Sequence, residues 1–284
     1  MPPGNFHRVR RVRTPVRNSP FCRKFILRAL KSTNTALPVT LADVRGAAER
    51  IGGYVIRTPL MPSRTLSERL GCEIRLKCEN LQRAGSFKIR GATNALLQLS
   101  PEQRAHGVVA FSSGNHAQGV ALAAKLLGIR ATIVMPEGAV ESKVEATRGY
   151  GAEVVQAGVT AASRDDVARE IAERTGATVI PPFNDVRVVA GAGTVGAEIA
   201  DEWPEVQTIV VPVGGGGLLS GTALAATSLL DNVEVIGVEP RAGNDAEQSF
   251  RKGSIVRIDP PNTIADGART LSLGRLRSRS SKPR

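Results

Sequence analysis

The fold is most clearly indicated by Thr208-Ile-Val-Val-Pro-Val213, followed by Gly214-Gly-Gly-Gly217 and then by Leu218-Leu-Ser-Gly-Thr-Ala-Leu-Ala-Ala226. This segment predicts a strand over 208–213, a glycine turn and an apolar helix over 218–230. A run of four glycines is costly in conformational entropy, which favours a backbone that approaches a ligand closely over a flexible linker. Successive N–H groups at a helix N-terminus favour a phosphate, so Gly214, Gly215, Gly216 and Gly217 are candidate phosphate-binding residues.

Strands and helices alternate on both sides of this segment. Such alternation predicts βαβ units and an α/β fold, with parallel sheets covered by helices on both faces. Further strands are predicted over 108–112, 131–135, 153–156, 177–180 and 234–238, and further helices over 115–127, 142–150, 163–175 and 195–203. In such folds ligands bind where a strand passes into a helix, so the turns are the places to search.

The positive charge belongs to the two ends of the chain. The net charge of +12 over 284 residues divides into nine Lys and Arg in 1–38, six in 269–284, and no acid in either segment. The middle, 39–268, holds 23 basic and 26 acidic residues, a net charge of −3. We therefore expect no specific nucleic-acid partner. Residues 1–38 are predicted to be a disordered basic extension or a transit peptide.

Two other function classes are excluded by composition. The uncharged stretch from Val206 to Leu230 is interrupted by Pro212 and the four glycines, so no membrane span is predicted. Three cysteines without a C-x-x-C pair indicate neither a disulfide framework nor a zinc site. Reduced thiols predict a cytoplasmic protein, or an organellar one if residues 1–38 are a transit peptide.

A second glycine motif is weak evidence for a dinucleotide. Gly191-Ala-Gly-Thr-Val-Gly196 fits G-x-G-x-x-G, but that fingerprint requires a preceding strand, a following helix and an acid after the next strand. The preceding strand would be only 187–190, and the next strand ends in Val213-Gly214 without an acid. We interpret these glycines as a tight turn with close packing, not as a site for NAD.

The segment Phe111-Ser-Ser-Gly-Asn-His116 also lies where a strand passes into a helix. Free N–H groups at the helix start can take a carboxylate, and the Asn115 amide can meet a phenolate oxygen. The alternative is that Ser113 or Asn115 is an ordinary helix cap. His116, taken alone, is interpreted as structural.

The segment Gly85-Ser-Phe-Lys88-Ile-Arg-Gly91 places a lysine at the start of a predicted helix, where the helix dipole disfavours it. The neighbours Phe87 and Ile89 predict partial burial, which lowers the pKa of an amine and makes it a better nucleophile. The alternative is a solvated lysine. The three segments together supply an amine, a carboxylate site with an amide, and a phosphate nest, which are the groups that pyridoxal 5'-phosphate (PLP) requires.

The chain resembles the threonine dehydratase and serine racemase group of fold-type II PLP enzymes, which are related to the tryptophan synthase β-subunit. The resemblance runs from about Pro38 to Leu273 and includes Lys77-Cys-Glu-Asn-Leu-Gln82, Pro136-Glu-Gly138, Gly237-Val-Glu-Pro240 and Thr263-Ile-Ala-Asp-Gly267. It implies two domains, each a mostly parallel sheet flanked by helices: a large PLP-binding domain over 39–106 and 185–274, and a small domain over 107–184. The family continues past the point where this chain changes, so we expect the large domain to be incomplete and 275–284 to be an aberrant basic tail.

The resemblance also implies roles for individual residues. Lys88 would bind the cofactor covalently and then remove the Cα proton, Asn115 would meet the cofactor's 3-hydroxyl oxygen, and Gly214 to Gly217 would hold its phosphate. Ser113 matches the serine that protonates the opposite face in racemases. The substrate carboxylate would be held by Ser112, Ser113, Gly114, Asn115 and His116, and Mg²⁺ or another divalent cation by Glu239, the Gly243 carbonyl and Asp245.

The implied activity is dehydration and deamination of L-threonine or L-serine to a 2-oxo acid and ammonia. Serine racemase and hydroxyaspartate dehydratase remain alternatives within the same family. An inactive fragment with basic tails is the alternative of another class. The expected partner is an amino-acid substrate, and the resemblance implies a homo-oligomer if the fold is complete.

Overall fold

The computed structural model describes residues 22–27 and 39–274. Within these ranges the strands are β1 (Cys22–Leu27), β2 (Leu60–Pro62), β3 (Arg75–Lys77), β4 (Val108–Phe111), β5 (Ala131–Val134), β6 (Glu153–Val155), β7 (Thr178–Val179), β8 (Thr208–Pro212) and β9 (Glu234–Pro240). The α-helices are α1 (Leu41–Ile51), α2 (Arg64–Leu70), α3 (Lys88–Leu97), α4 (Pro101–His106), α5 (Asn115–Leu127), α6 (Glu141–Gly149), α7 (Arg164–Thr175), α8 (Val186–Glu202), α9 (Gly217–Leu229) and α10 (Asp245–Lys252). The predicted α/β fold is confirmed.

The strands form three sheets. The four-stranded sheet has the order β6-β5-β4-β7 with every pair parallel, and it lies inside the predicted small domain, 107–184. The three-stranded sheet has the order β1-β9-β8, in which β8 and β9 are parallel and β1 is antiparallel to β9. A short antiparallel pair, β2 and β3, completes the set. The two larger sheets are mostly parallel, whereas the domain boundaries stay a prediction.

The two basic ends are described only in part. Within 1–38, the predicted extension, β1 is the described element, and the other residues of 1–38 lie outside the described residues. The predicted aberrant tail, 275–284, also lies outside them. In the part of the chain that the structure describes, no helix has both the length and the apolar character that a membrane crossing needs.

The G-x-G-x-x-G segment is helical. Gly191–Gly196 lies in the middle of α8, so the predicted strand over 187–190 and the predicted tight turn are wrong, and the helix predicted to begin at Val195 begins at Val186. The Asp185 carboxylate accepts a hydrogen bond from the Arg187 N–H at 2.7 Å and caps the helix. That local cap starts the helix before the glycines are reached.

The expected close packing is confirmed, and it explains why glycine is tolerated inside α8. A Cβ atom at Gly191 would lie 2.6 Å from the Arg90 carbonyl oxygen of α3. A Cβ atom at Gly196 would lie 2.7 Å from the Thr222 carbonyl oxygen of α9. Because these neighbours are backbone atoms, α3 and α9 approach α8 closely only where no side chain intervenes.

A buried arginine fixes the beginning of α3. The Arg90 side chain is 0% exposed, and its guanidinium donates hydrogen bonds to Glu79 at 2.8 Å and to Glu198 of α8 at 2.6 Å. A guanidinium buried between two carboxylates is held in one orientation by its charge-assisted hydrogen bonds. This network holds the first turn of α3, two residues after Lys88, against α8.

Candidate active site

A cavity of about 750 Å³ lies at the carboxyl ends of β4 and β8. This is where open α/β sheets bind ligands. All the residues predicted to bind the cofactor or the substrate carboxylate line it; these are Lys88, Ser112, Ser113, Gly114, Asn115, His116, Gly214, Gly215, Gly216 and Gly217. Three segments that are far apart in the chain therefore meet in one place.

Lys88 is the first residue of α3, as predicted. Its Nζ donates a hydrogen bond to the Pro182 carbonyl at 2.9 Å and lies 5.3 Å from the centre of the Phe87 ring. Burial lowers the pKa of the Lys88 amine to about 8. A larger fraction of the amine is thus neutral near pH 7 than for a solvated lysine, and the neutral form is the nucleophile.

The turn after β4 presents free N–H groups. Helix α5 begins at Asn115, and Gly114 occupies the cap position without a side-chain cap, so neither Ser113 nor Asn115 is the ordinary cap of this helix. The Gly114 N–H is already used, because it donates to Ser112 Oγ at 3.1 Å. The first three N–H groups of a helix have no acceptor within it, and those of 115–117 are available to a carboxylate.

His116 belongs to the cavity through its backbone. Its side chain is 2% exposed, and Nε2 lies 2.9 Å from the Ile180 carbonyl oxygen, so Nε2 carries the proton. Burial, with the nearby positive charge of Lys88, lowers the pKa of the imidazole to about 3. The ring is therefore neutral and structural, as the sequence predicts for His116 taken alone.

The glycine run makes the opposite wall. Gly216 has φ +92°, a left-handed conformation that suits glycine, and it caps α9. The first hydrogen bond of this helix runs from the Ser220 N–H to the Gly216 carbonyl at 2.9 Å, which leaves the N–H groups of 217–219 without acceptors in the helix. A Cβ atom at Gly215 would overlap the Phe183 ring. The glycine run therefore packs closely against Phe183, and it also leads into N–H groups that can bind an anion.

Five charged residues of the cavity carry no assigned role in the sequence analysis, and three of them contact one another or a predicted site residue. Arg164 Nη1 donates to Ser113 Oγ at 2.5 Å, burial lowers the pKa of Arg164, and it forms no ion pair with a described acid. Lys143 Nζ donates to Asn115 Oδ1 at 2.9 Å and forms an ion pair with Asp266. Arg164 and Lys143 lie on polar helices, where a basic residue predicts a solvent-exposed face. Asp266 lies in the segment 263–267, which carries part of the family resemblance and was the only sequence signal for these three residues.

The predicted cation ligands are buried. Glu239 is 2% and Asp245 1% exposed, and the Glu239 carboxylate accepts hydrogen bonds from the N–H groups of Ala246 and Glu247. Burial raises the pKa of Glu239 to about 7 and that of Asp245 to about 6. Asp245 Oδ2 has no hydrogen-bond partner among the described residues. In the described ranges no cluster of three His, Cys, Asp or Glu has metal-binding geometry, so this site, with the Gly243 carbonyl, stays a prediction.

Comparisons with known proteins agree with this geometry. Residues 51–281 match the model of a family described as pyridoxal-phosphate dependent enzyme. The chain is 53% identical over 243 residues to a serine racemase of Schizosaccharomyces pombe, covering 86% of this chain and 75% of the relative. It is 53% identical over 235 residues to an L-threo-3-hydroxyaspartate ammonia-lyase of Saccharomyces cerevisiae, covering 83% and 72%. A crystal structure of the T.th. threonine deaminase matches with a TM-score of 0.79 and 48% identity, covering 83% of this chain and 76% of that chain.

Proposed function

Because the chain belongs to the family of pyridoxal-phosphate dependent enzymes, we propose that it eliminates water from a β-hydroxy α-amino acid. The enamine that is released then takes back one water and hydrolyses to a 2-oxo acid and ammonia. L-threonine would give 2-oxobutanoate, and L-serine would give pyruvate. The observation that carries the proposal is the Lys88 amine, which lines the cavity and has a lowered pKa. The likeness to threonine deaminase supports the same reaction type.

The residues of the cavity fit the cofactor. The amine of Lys88 suits its aldehyde, the N–H groups at the start of α9 suit its phosphate, and the amide of Asn115 suits its phenolate oxygen. A Cβ atom at Gly214 would lie 3.4 Å from the Gly267 carbonyl oxygen, so a side chain there would crowd this wall of the cavity. Bound PLP supplies an electron sink that stabilises a carbanion at Cα.

Groups of the chain itself would bind the substrate and transfer protons. The N–H groups at the start of α5 hold the substrate carboxylate, and the neutral Lys88 amine takes the Cα proton. A guanidinium only donates hydrogen bonds, so Ser113 Oγ accepts from Arg164 and keeps its own proton for another acceptor. A Ser113 hydroxyl held in this way supports the racemase alternative, because it retains a proton to give.

The decisive experiment is substitution of the amine. We expect Lys88→Ala to lose 2-oxo acid release from every β-hydroxy amino acid tested, while Lys125→Ala, an exposed lysine at the far end of α5, keeps it. Product is measured by a coupled dehydrogenase assay, with folding checked by thermal unfolding. Release by Lys88→Ala at the rate of the unsubstituted chain would contradict the proposal.

A second candidate substrate is favoured by Arg164. This guanidinium lines the cavity and forms no salt bridge with a described carboxylate, and the nearby charge of Asp165 offsets only part of the hydration that Arg164 loses, so a salt bridge with a ligand would be favourable. A substrate with a second carboxylate would supply it. L-threo-3-hydroxyaspartate, which would give oxaloacetate and ammonia, is therefore our alternative to L-threonine and L-serine, and the similarity to a hydroxyaspartate ammonia-lyase supports it.

The two candidate substrates can be distinguished by the ratio of their kcat/KM values. Arg164→Gln should lower kcat/KM for hydroxyaspartate relative to L-serine by roughly 10- to 100-fold, the usual effect of losing a hydrogen-bonded charge. If Arg164→Gln changes kcat/KM for both substrates equally through its contact with Ser113, that change does not affect the ratio. Arg169→Gln, an exposed arginine on the same helix α7, is the control. An unchanged ratio would favour L-threonine or L-serine.

A further inference from the structure

A lysine joins two walls of the cavity. Lys143 lies on α6, and its Nζ contacts both the Asn115 side chain at the start of α5 and the carboxylate of Asp266. Its side chain is 21% exposed and crosses Gly114, where a Cβ atom would lie 2.5 Å from the lysine Cδ. All four residues line the cavity. The contact thus links the α5–α6 side of the cavity to the segment that contains Asp266.

The charges of this contact are complementary. The hydrogen bond from Lys143 is the main cause that lowers the pKa of the Asp266 carboxyl, so the carboxylate is ionised at neutral pH. An ammonium group has three donors and no acceptor. Asp266 takes one donor and Asn115 Oδ1 another, which holds Lys143 in one position above Gly114.

The contact also decides which way the Asn115 amide points. Since an ammonium group can only donate, the atom of Asn115 that faces Lys143 must be the oxygen. The amide nitrogen, Nδ2, then points away from Lys143 and lies on the side of Gly267. A Cβ atom added to Gly267 would lie 3.5 Å from this nitrogen. A donor in that position is what a phenolate oxygen requires.

We propose that Lys143, held by Asp266, is a positioning residue that fixes the Asn115 amide with its N–H groups toward the phenolate oxygen of PLP. The Lys143 charge also stabilises that oxygen through the amide it polarises. The inference rests on the proposed function, because it requires that the cavity binds PLP. It assigns to Lys143 of α6 and to Asp266 a role in setting the electronic state of the cofactor.

The test is a titration of the apo chain with PLP, followed by the absorption spectrum of the loaded chain at one pH. We expect Lys143→Met to raise the Kd for PLP about tenfold or more and to shift the cofactor band, as loss of a charged hydrogen bond implies. Lys143→Arg should keep much of the PLP affinity and of the original position of the cofactor band, since a guanidinium also donates hydrogen bonds and keeps the positive charge. Asp266→Asn should give an intermediate shift.

The control is Lys125→Met, the same chemical change at an exposed lysine of α5. Thermal unfolding of each variant shows whether it folds, and the spectrum of bound PLP is a property that loss of stability alone does not move. If Lys143→Met binds PLP with the Kd and spectrum of the unsubstituted chain, the positioning role is wrong and the proposed function stands. If the unsubstituted chain does not take up PLP, both fail.

Discussion

Lys88 illustrates how one residue acquires its chemistry from its surroundings. It begins a helix, forms no ion pair with a described acid and donates to a backbone carbonyl, so little compensates for the hydration it loses. Burial therefore lowers its pKa to about 8. The dipole at a helix start disfavours the charged form as well.

The lowered pKa predicts how PLP uptake depends on pH. The neutral amine attacks the aldehyde, so the rate of uptake by the apo chain should rise with pH up to about 8 and level off above it. A solvated lysine, with a pKa of about 10.4, would give a rate that still rises at pH 10. Stopped-flow absorption after mixing with PLP measures this rate, and a continued rise would contradict burial of the amine.

Ser113 predicts a separation of two activities. Its hydroxyl accepts from Arg164 and keeps a proton, so Ser113→Ala should lower racemisation of L-serine by roughly 100-fold or more, as loss of a general acid implies. Elimination should change far less, because Lys88 remains. Chiral chromatography and 2-oxo acid assays measure the two, with Ser142→Ala on α6 as the control. Equal loss of both activities would rule out a distinct role for Ser113.

At the scale of elements, the close contact of α8 with α3 and α9 holds the site together. Lys88 begins α3 and the glycine run begins α9, and both helices pack on glycines of α8. The positions of the amine and of the phosphate nest thus depend on how closely these helices approach one another. Arg90, between Glu79 and Glu198, fixes the rotation of α3 in the same contact.

Helix packing predicts opposite effects for two glycine substitutions. Gly191→Ala would place Cβ 2.6 Å from the Arg90 carbonyl, a backbone atom, so we expect destabilisation of about 1–3 kcal/mol and weaker PLP binding. Gly149→Ala at the end of α6 meets no atom within 4 Å and should stabilise by about 0.5–1 kcal/mol. Urea unfolding measures both. The same sign for both variants would contradict this account.

At the scale of the whole molecule, the buried acids Glu239 and Asp245 form the predicted site for a divalent cation. Burial raises both pKa values, and Asp245 Oδ2 lacks a hydrogen-bond partner within the described part of the chain. These carboxylates, with the Gly243 carbonyl, have the hard oxygen atoms that Mg²⁺ or Ca²⁺ prefers. A cation there would stabilise the fold. Oligomeric state and cytoplasmic location stay predictions.

Cation binding predicts a shift in stability. A divalent cation at 100 times its Kd should stabilise the chain by about 2.7 kcal/mol, which raises the Tm after chelator treatment at pH 8. Asp245→Asn should lose this response, whereas Asp259→Asn, an exposed aspartate, should keep it. Differential scanning calorimetry measures the Tm. If Asp245→Asn still responds to Mg²⁺ or Ca²⁺, the cation binds elsewhere.

Local sequence signals were sufficient to predict the α/β fold and three of the segments that line the cavity. These signals are the period of apolar residues, the glycine run after 208–213 and the lysine at the start of a predicted helix. They suffice because ligands of such folds gather at the carboxyl ends of the strands. The helix bounds of α5 are predicted to the residue.

Packing between distant elements determined the rest. Glycine disfavours a helix locally, so 191–196 predicts a turn, yet contact with α3 and α9 makes the absence of side chains an advantage there. Arg164 reaches Ser113 from 51 residues away, and Lys143 reaches Asp266 from 123 residues away. Contacts at such separations leave no local pattern, because the charges are brought together only when the elements pack.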